Sequence, residues 1–370
     1  MRYQTKEKKS DYVFLILLGL IVLFGLAMLS SASVAEGLRE FEDNYYFLKK
    51  QITHGLLPGL LLFFVCWKIG FRVWKKLAWL ILVISIVLLV LVFLPGIGTS
   101  FGSGARSWLN IFGFSVQPSE IAKLAFLIYL AAWFDERGGS EIKSWQYGFL
   151  PFVVVLGVVS GLVFMEPDVG TFLIIVIISL VVYFVAGARL IHLFFMTAFG
   201  FGAMILAIRL APYRLQRLTV FLHPELDPQG VGYHINQALL AVGSGGFFGL
   251  GLGGSRQKFQ YLPEVMGDSI FAVMAEELGF IFVTGFIVLF LFLIYRGLRI
   301  AKESRSDFAR YLVVGIVSWW FFQAVINIGG MIGVLPMTGL PLPFISLGGT
   351  ALAISLAAAG IIMNISKERT

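Results

Sequence analysis

Ten apolar runs recur along this 370-residue chain, each near or above the roughly 17 residues that a helix needs to cross a bilayer. They lie near Tyr12 to Ser30, Ile52 to Gly70, Leu77 to Leu94, Gln117 to Phe134, Gly148 to Met165, Asp168 to Ala186, Leu190 to Leu210, Asp268 to Tyr295, Ala309 to Val334 and Phe344 to Ile365. Hydrocarbon leaves an open sheet edge unsatisfied, so runs of this kind fold as helices that close their own backbone hydrogen bonds. With 58% hydrophobic and 13% charged residues, against about a quarter charged in a soluble domain, the chain reads as an all-α polytopic membrane protein. A single integral membrane domain over 1–370 with ten transmembrane helices is expected. The first run ends in SASVAEG, small residues of the kind a signal peptidase cuts after, but its length favours a retained anchor. The lone cysteine, Cys66, excludes an internal disulfide, and no Cys/His spacing suggests zinc.

The net charge of +7 would point to nucleic acid in a soluble chain, but here it is first divided by membrane side. Of the 28 Lys and Arg residues, Arg39, Lys49, Lys50, Arg106, Arg209, Arg214, Arg217, Arg256 and Lys258 fall on one side, Lys123 lies within a helix, and the rest fall on the other side. The richer side holds both termini, so the positive-inside rule predicts cytoplasmic N- and C-termini. The basic excess is then mostly a topology signal.

That orientation puts the polar residues of the spans at one end. Glu120 and Lys123 enter early in a span from outside, at an i, i+3 spacing that lets each neutralise the other. Glu166 and Asp168 form the outer link EPD, Gln323 and Asn327 lie in an outward half-span, and Ser346 and Thr350 open the last one. A shared outward-facing cavity is expected. The acids Asp268, Glu276 and Glu277 stand at the start of an apolar run, where an ionised group at bilayer depth costs about 2.5–3.5 kcal/mol. If the helix begins near Asp268, Glu276 lies about 12 Å deeper and about 80° round from it, so both are expected to line one cavity.

The longest loop, about 211–267, is also outside. Within it HINQALLAVGSGGFFGLGLGG is apolar but too short to cross, which suits a re-entrant or interfacial segment. Gly249, Gly251 and Gly254 satisfy G-x-G-x-x-G by count, yet no strand precedes them and no G-K-[ST] follows, so a nucleotide site is rejected. The plainer role of these glycines is backbone freedom and close approach to a neighbouring helix. An enzyme on the outer face has no nucleoside triphosphate and needs a substrate that arrives activated. A lipid-linked diphosphate sugar fits, with cations for the diphosphate and a carboxylate for a hydroxyl proton. A proton-coupled transporter places acids and Lys/Glu pairs in the same way.

The segments GARSW (104–108), QPSEIAK (117–123), EPDVGT (166–171), the stretch from GVGYHINQ through QYLPEVMGDSIFAVMAEELG, and GVLPMTGLPLPFISLGGT (333–350) resemble the SEDS proteins of bacteria, the shape, elongation, division and sporulation family. NYYFLKKQ and GLGGSRQKFQYLPE are closer to its cell-division branch than to its elongation branch. The resemblance implies a peptidoglycan glycosyltransferase that polymerises lipid II outside the cytoplasmic membrane, at the septum, with a class B penicillin-binding protein and other divisome proteins as partners. It maps the family's essential aspartate onto Asp268 and its central Glu/Lys pair onto Glu120 and Lys123. The family usually carries Thr-Asp-Phe there, where this chain has Gly267-Asp268-Ser269. The implied mechanism has Asp268 as general base for the acceptor's 4-hydroxyl, with undecaprenyl diphosphate leaving. Its charge is to be met by cations such as Lys123, Arg106, Arg217 and Lys258 or by a divalent ion, Mg2+ or Mn2+. Glu264 and Glu276 complete the candidate substrate-binding set, with Glu276 expected to raise the pKa of Asp268. A lipid II flippase or other transporter, an elongation-type polymerase and a scaffold that only recruits the transpeptidase stand as alternatives.

Overall fold

The computed structural model describes residues 10–99, 107–111, 113–210, 219–227, 229–259 and 261–368. Every one of the ten apolar runs carries helix: α1 (Tyr12–Ala32), then α2 (Val34–Phe41) and α3 (Tyr46–Gln51), which leads through a π-turn into α4 (Leu57–Lys68). Next come α5 (Phe71–Leu91), α6 (Pro118–Glu136), the short α7 (Gly139–Ile142), α8 (Leu150–Met165), α9 (Val169–Val185) and α10 (Leu190–Leu210). They are followed by α11 (Val231–Ser244), α12 (Ile270–Lys302), α13 (Asp307–Met331) and α14 (Gly349–Ile365). Six helices among the described residues are long and apolar enough to cross a membrane, namely α1, α5, α8 with its preceding π-turn, α12, α13 and α14 with its terminal turn, while α9 is apolar but shorter. The all-α expectation needs one correction. A small antiparallel sheet, β1 (Gly98–Thr99), β2 (Trp108–Ile111) and β3 (Phe114–Val116), precedes α6 in the order β1-β2-β3, with Leu109 opposite both Gly98 and Val116.

The bundle is layered by burial. α14 is central, with 83% of its apolar window buried, and α5 is peripheral at 22%. Because lipid gives no hydrophobic drive between helices, close contact needs small residues. α14 approaches α4 where Gly59 lies under Ala353 and Leu356 and Gly360 lies under Phe63 and Cys66, too close for a Cβ. At the far end Asp11 caps α1 through Phe14 N–H at 3.0 Å and pairs with Arg296 of α12 at 2.8 Å. Asn364 joins Trp67 and Phe71, so the α14 terminus is tied to the α4–α5 turn.

The glycine segment is shaped by α12. Gly279 sits at φ 72°, ψ 178° inside that helix, a backbone open mainly to glycine. The kink breaks the bonds that 280 and 281 would donate to 276 and 277. The glycine loop replaces both: Leu250 and Gly251 N–H donate to the Glu276 and Glu277 carbonyls at 3.0 Å, and Phe280 and Ile281 N–H donate to Gly246 and Phe247 carbonyls at 2.9 and 3.1 Å. Loop and kink thus satisfy each other's backbone, as the absence of water in a membrane requires. The expected close approach of this loop to a helix is what the structure contains, and α11 ahead of it, at 14 residues, is too short to cross.

Candidate active site

The helix expected to start near Asp268 starts at Ile270, and Asp268 lies in the turn before it. Three contacts pin that turn. Asn327 Nδ2 donates to the Asp268 carbonyl at 2.8 Å, Ser346 Oγ donates to the Gly267 carbonyl at 2.6 Å, and Leu347 N–H donates to the Met266 carbonyl at 2.7 Å. The partners come from α13 and from the segment before α14, so the turn is fixed by two elements far away in sequence. Asp268, Asn327, Gly330, Thr338 and Leu340 line one narrow crevice.

Asn327 is the residue the sequence reading placed at this end without a role. Its Nδ2 also donates to the Leu340 carbonyl at 2.7 Å. Both neighbours of that nitrogen are carbonyls, so the amide must face them with its NH2 group and its oxygen is turned the other way. Asn327 Oδ1 is buried with no partner among the described residues, a polar atom left unsatisfied.

The Glu120–Lys123 pair forms as the spacing predicts, at 2.7 Å with the side chains 2% and 0% exposed. Lys123 also donates to Gln323 Oε1 at 3.1 Å and lies 4.7 Å from the Trp319 ring centroid. Gln323 in turn accepts from Trp319 Nε1 at 2.7 Å and donates to the Pro341 carbonyl at 2.8 Å. The pair is therefore the buried strut between α6 and α13, one turn of α13 from Asn327. Lys123 has no exposed surface with which to meet a diphosphate.

Two other expectations are corrected. Glu276 does not share the Asp268 crevice. Its carboxylate accepts from Ser255 Oγ at 2.5 Å and Arg256 N–H at 2.9 Å, which fastens the glycine loop to α12. Lys258 is 3% exposed and paired with Glu277 at 2.8 Å, while Ser31 of α1 donates to the same carboxylate. The backbone of the loop packs so tightly on the kink that these side chains are drawn inside as its clamp. Arg256, which is outside the set of expected cations, is exposed on the same loop. Arg106 and Arg217 lie outside the described residues.

The acid found next to Asp268 is Glu264, at φ 50°. Its carbonyl accepts from Gly267 and Ser269 N–H at 2.9 and 3.2 Å. Burial first, then the charge of Asp268, push its carboxyl above the ordinary range, with His234 acting the other way. His234 of α11, which no sequence pattern singled out, meets Ser269 Oγ through Nε2 at 2.6 Å. Burial lowers its pKa, against the opposing charge of Glu264. In the EPD link, Asp168 caps α9 through Thr171 N–H at 2.9 Å. Glu166 is 1% exposed with neither oxygen partnered among the described residues, and burial followed by Asp168 pushes its carboxyl up to about 8. Among the described residues no three His, Cys, Asp or Glu side chains gather to hold a metal ion; an ion bound by one or two carboxylates and the diphosphate itself would not need such a cluster.

Comparisons place this arrangement. The family model FTSW_RODA_SPOVE, described as cell cycle protein, matches residues 11–370. The stage V sporulation protein E of Bacillus subtilis is 40% identical over 363 residues, covering 98% of both chains. A probable peptidoglycan glycosyltransferase FtsW of Trichlorobacter lovleyi is 41% identical over 369 residues, covering 99% of this chain and 95% of the relative. A solved chain from work on the structural coordination of polymerization and crosslinking by a peptidoglycan synthase complex superposes with TM-score 0.80 at 28% identity, over 97% of this chain and 98% of that one. The rod shape determining protein RodA of Thermus thermophilus gives TM-score 0.70 at 27% identity, over 100% and 99%. The chain belongs to the FtsW/RodA/SpoVE family.

Proposed function

We propose that this protein is a peptidoglycan glycosyltransferase that polymerises lipid II into glycan strands on the outer face of the cytoplasmic membrane during cell division. All ten helical runs cross the bilayer in this proposal, with both termini cytoplasmic and the Asp268 turn outside. The observation that carries it is the Asp268 turn itself: a carboxylate on a loop pinned by α13 and the α14 approach, lining a crevice against α13. Fixing a base this firmly suits a reaction in which it must meet one hydroxyl in one geometry.

In the reaction Asp268 accepts the proton of the acceptor sugar's 4-hydroxyl while that oxygen bonds to the anomeric carbon of the donor. The bond to the undecaprenyl diphosphate breaks and its electron pair leaves with the phosphate. Arg256, exposed on the loop clamped to α12, is a candidate cation for the diphosphate, as are Arg106 and Arg217. The crosslinking complex that contains the superposed chain supports a class B penicillin-binding protein as partner, and the FtsW-named relatives support work at the septum beside divisome proteins.

The test is polymerisation of labelled lipid II by the purified chain with its transpeptidase partner in liposomes. Glycan chains are expected from the native protein and none from Asp268→Asn. If the variant polymerises normally while translocation of lipid II across vesicles fails, the protein is a transporter and the proposal is wrong.

A further inference from the structure

The direction in which a side chain leaves the backbone is set by the two peptide groups that flank it, because each residue has only two soft backbone dihedrals. At Asp268 both flanking groups are held. The Gly267 carbonyl accepts from Ser346 Oγ at 2.6 Å, the Asp268 carbonyl accepts from Asn327 Nδ2 at 2.8 Å, and the Ser269 N–H donates to the Glu264 carbonyl at 3.2 Å. The next side chain along, Ser269, is fully buried at the N-cap of α12. A residue of this kind ordinarily accepts from a backbone N–H of the first turn, as Asp11, Asp168 and Ser306 do at the heads of α1, α9 and α13. Ser269 makes no such bond, and its Oγ meets His234 Nε2 at 2.6 Å instead.

His234 is brought there by α11. His234, Ala238 and Ala241, with Gly245 just past the helix end, repeat at i, i+4, i+7 and i+11 and so share one face. Ala238 and Ala241 are fully buried, and a Cβ at Gly245 would overlap the Ala275 carbonyl and press on the Glu276 Cα of α12. Small residues on this face let two backbones close up, and the imidazole at its head then reaches Ser269. α11 is thus joined to α12 at two places ahead of the Gly279 kink, by a side-chain contact at His234 and by backbone packing at Gly245.

We propose that His234 is a positioning residue for the reaction: through Ser269 it fixes the Asp268 turn from the α11 side and keeps the carboxylate in the direction in which it lines the crevice against α13. The proposal rests on Asp268 acting as the base. Three consecutive residues are then held from three elements, 267 from the segment before α14, 268 from α13 and 269 from α11. His234 takes no proton from the substrate and acts only through Ser269. Its loss leaves the base chemically intact but widens the range of directions that the carboxylate samples. That cost falls on the step in which geometry counts, so it lowers kcat and spares substrate binding.

The experiment uses the full chain with its transpeptidase partner in liposomes, with lipid II as substrate and rates referred to folded protein. His234→Ala is expected to lower kcat about tenfold, the factor that corresponds to about 1.4 kcal/mol and to one hydrogen bond, with KM unchanged. Ser269→Ala is expected to lose the same factor, and the double variant no more than either single change, since both remove one contact. His234→Gln, whose side-chain amide still offers the hydroxyl a partner, is expected to recover most of the loss. Should His234→Ala fail to fold, Ser269→Ala removes the same contact by deleting one oxygen and carries the same expectation. Native kcat in the alanine variants, losses that multiply in the double variant, a raised KM in place of a lowered kcat, or a glutamine variant no better than alanine each overturns the positioning role while Asp268→Asn stays inactive. An active Asp268→Asn overturns the base itself.

Discussion

Lys123→Met separates a buried strut from a substrate-binding cation. In the native chain Lys123 Nζ is 2.7 Å from Glu120 and 3.1 Å from Gln323, over the Trp319 ring, with no exposure. Removing the ammonium leaves the Glu120 carboxylate, 2% exposed, without its countercharge. One-sided loss of a buried pair destabilises by about 3–5 kcal/mol, whereas replacing both partners with packed apolar groups is often neutral. An exposed pair contributes only about 0–1 kcal/mol, so even a rough measurement separates the two cases. The assay is unfolding of the purified protein in mild detergent titrated with SDS. Lys123→Met is expected to lose at least about 3 kcal/mol and the double variant Glu120→Leu/Lys123→Met to return to within about 1 kcal/mol of the native protein. If the single change is silent, or the double is as unstable as the single, the strut reasoning is refuted.

Three further outcomes are expected. Asn327→Ala removes the bond to the Asp268 carbonyl and should lower polymerisation at least about tenfold, one neutral hydrogen bond being near the 1.4 kcal/mol that corresponds to that factor; a steady-state rate with lipid II checks it. Gly279→Ala places a Cβ on the Gly249 nitrogen and Phe247 carbonyl at φ 72°, and overpacking plus a left-handed alanine should destabilise by at least about 2 kcal/mol, seen as a lower melting temperature. For Glu166 the folded pKa, about 8, lies above the 4.5 of an unburied glutamate. Between those two values the folded state holds the proton that the unfolded state has lost, so stability falls as pH rises and levels off above about 8. Glu166→Gln should remove that slope, so native and variant melting temperatures measured from pH 5 to 9 should diverge most at the alkaline end. Parallel curves would show that Glu166 does not titrate in this way.

Several features of the site were legible before any coordinates because they are local. Glu120 and Lys123 meet because an i, i+3 spacing leaves them nowhere else to go on a buried face. The polar residues Gln323, Asn327 and Ser346 gather at one end because apolar runs fix the register of each helix in the bilayer. The pairing of Glu276 with the glycine loop was not legible. A helical projection assumes an unbroken helix, and the kink at Gly279 brings residues 245–258 across the face that Glu276 was expected to turn toward Asp268. Lys258 followed the same loop inward, which exchanged an expected diphosphate contact for an ion pair with Glu277.

The sequence by itself determined that the chain is a helical membrane protein and which carboxylate carries the family resemblance, because hydropathy over a span and a motif in order are properties of neighbours along the chain. Only the tertiary structure decided which groups stand beside Asp268. Asn327 and His234 arrive at that turn from α13 and from α11. No periodicity links residues so far apart, and their meeting is set by how backbone carbonyls left open by one element find donors on another.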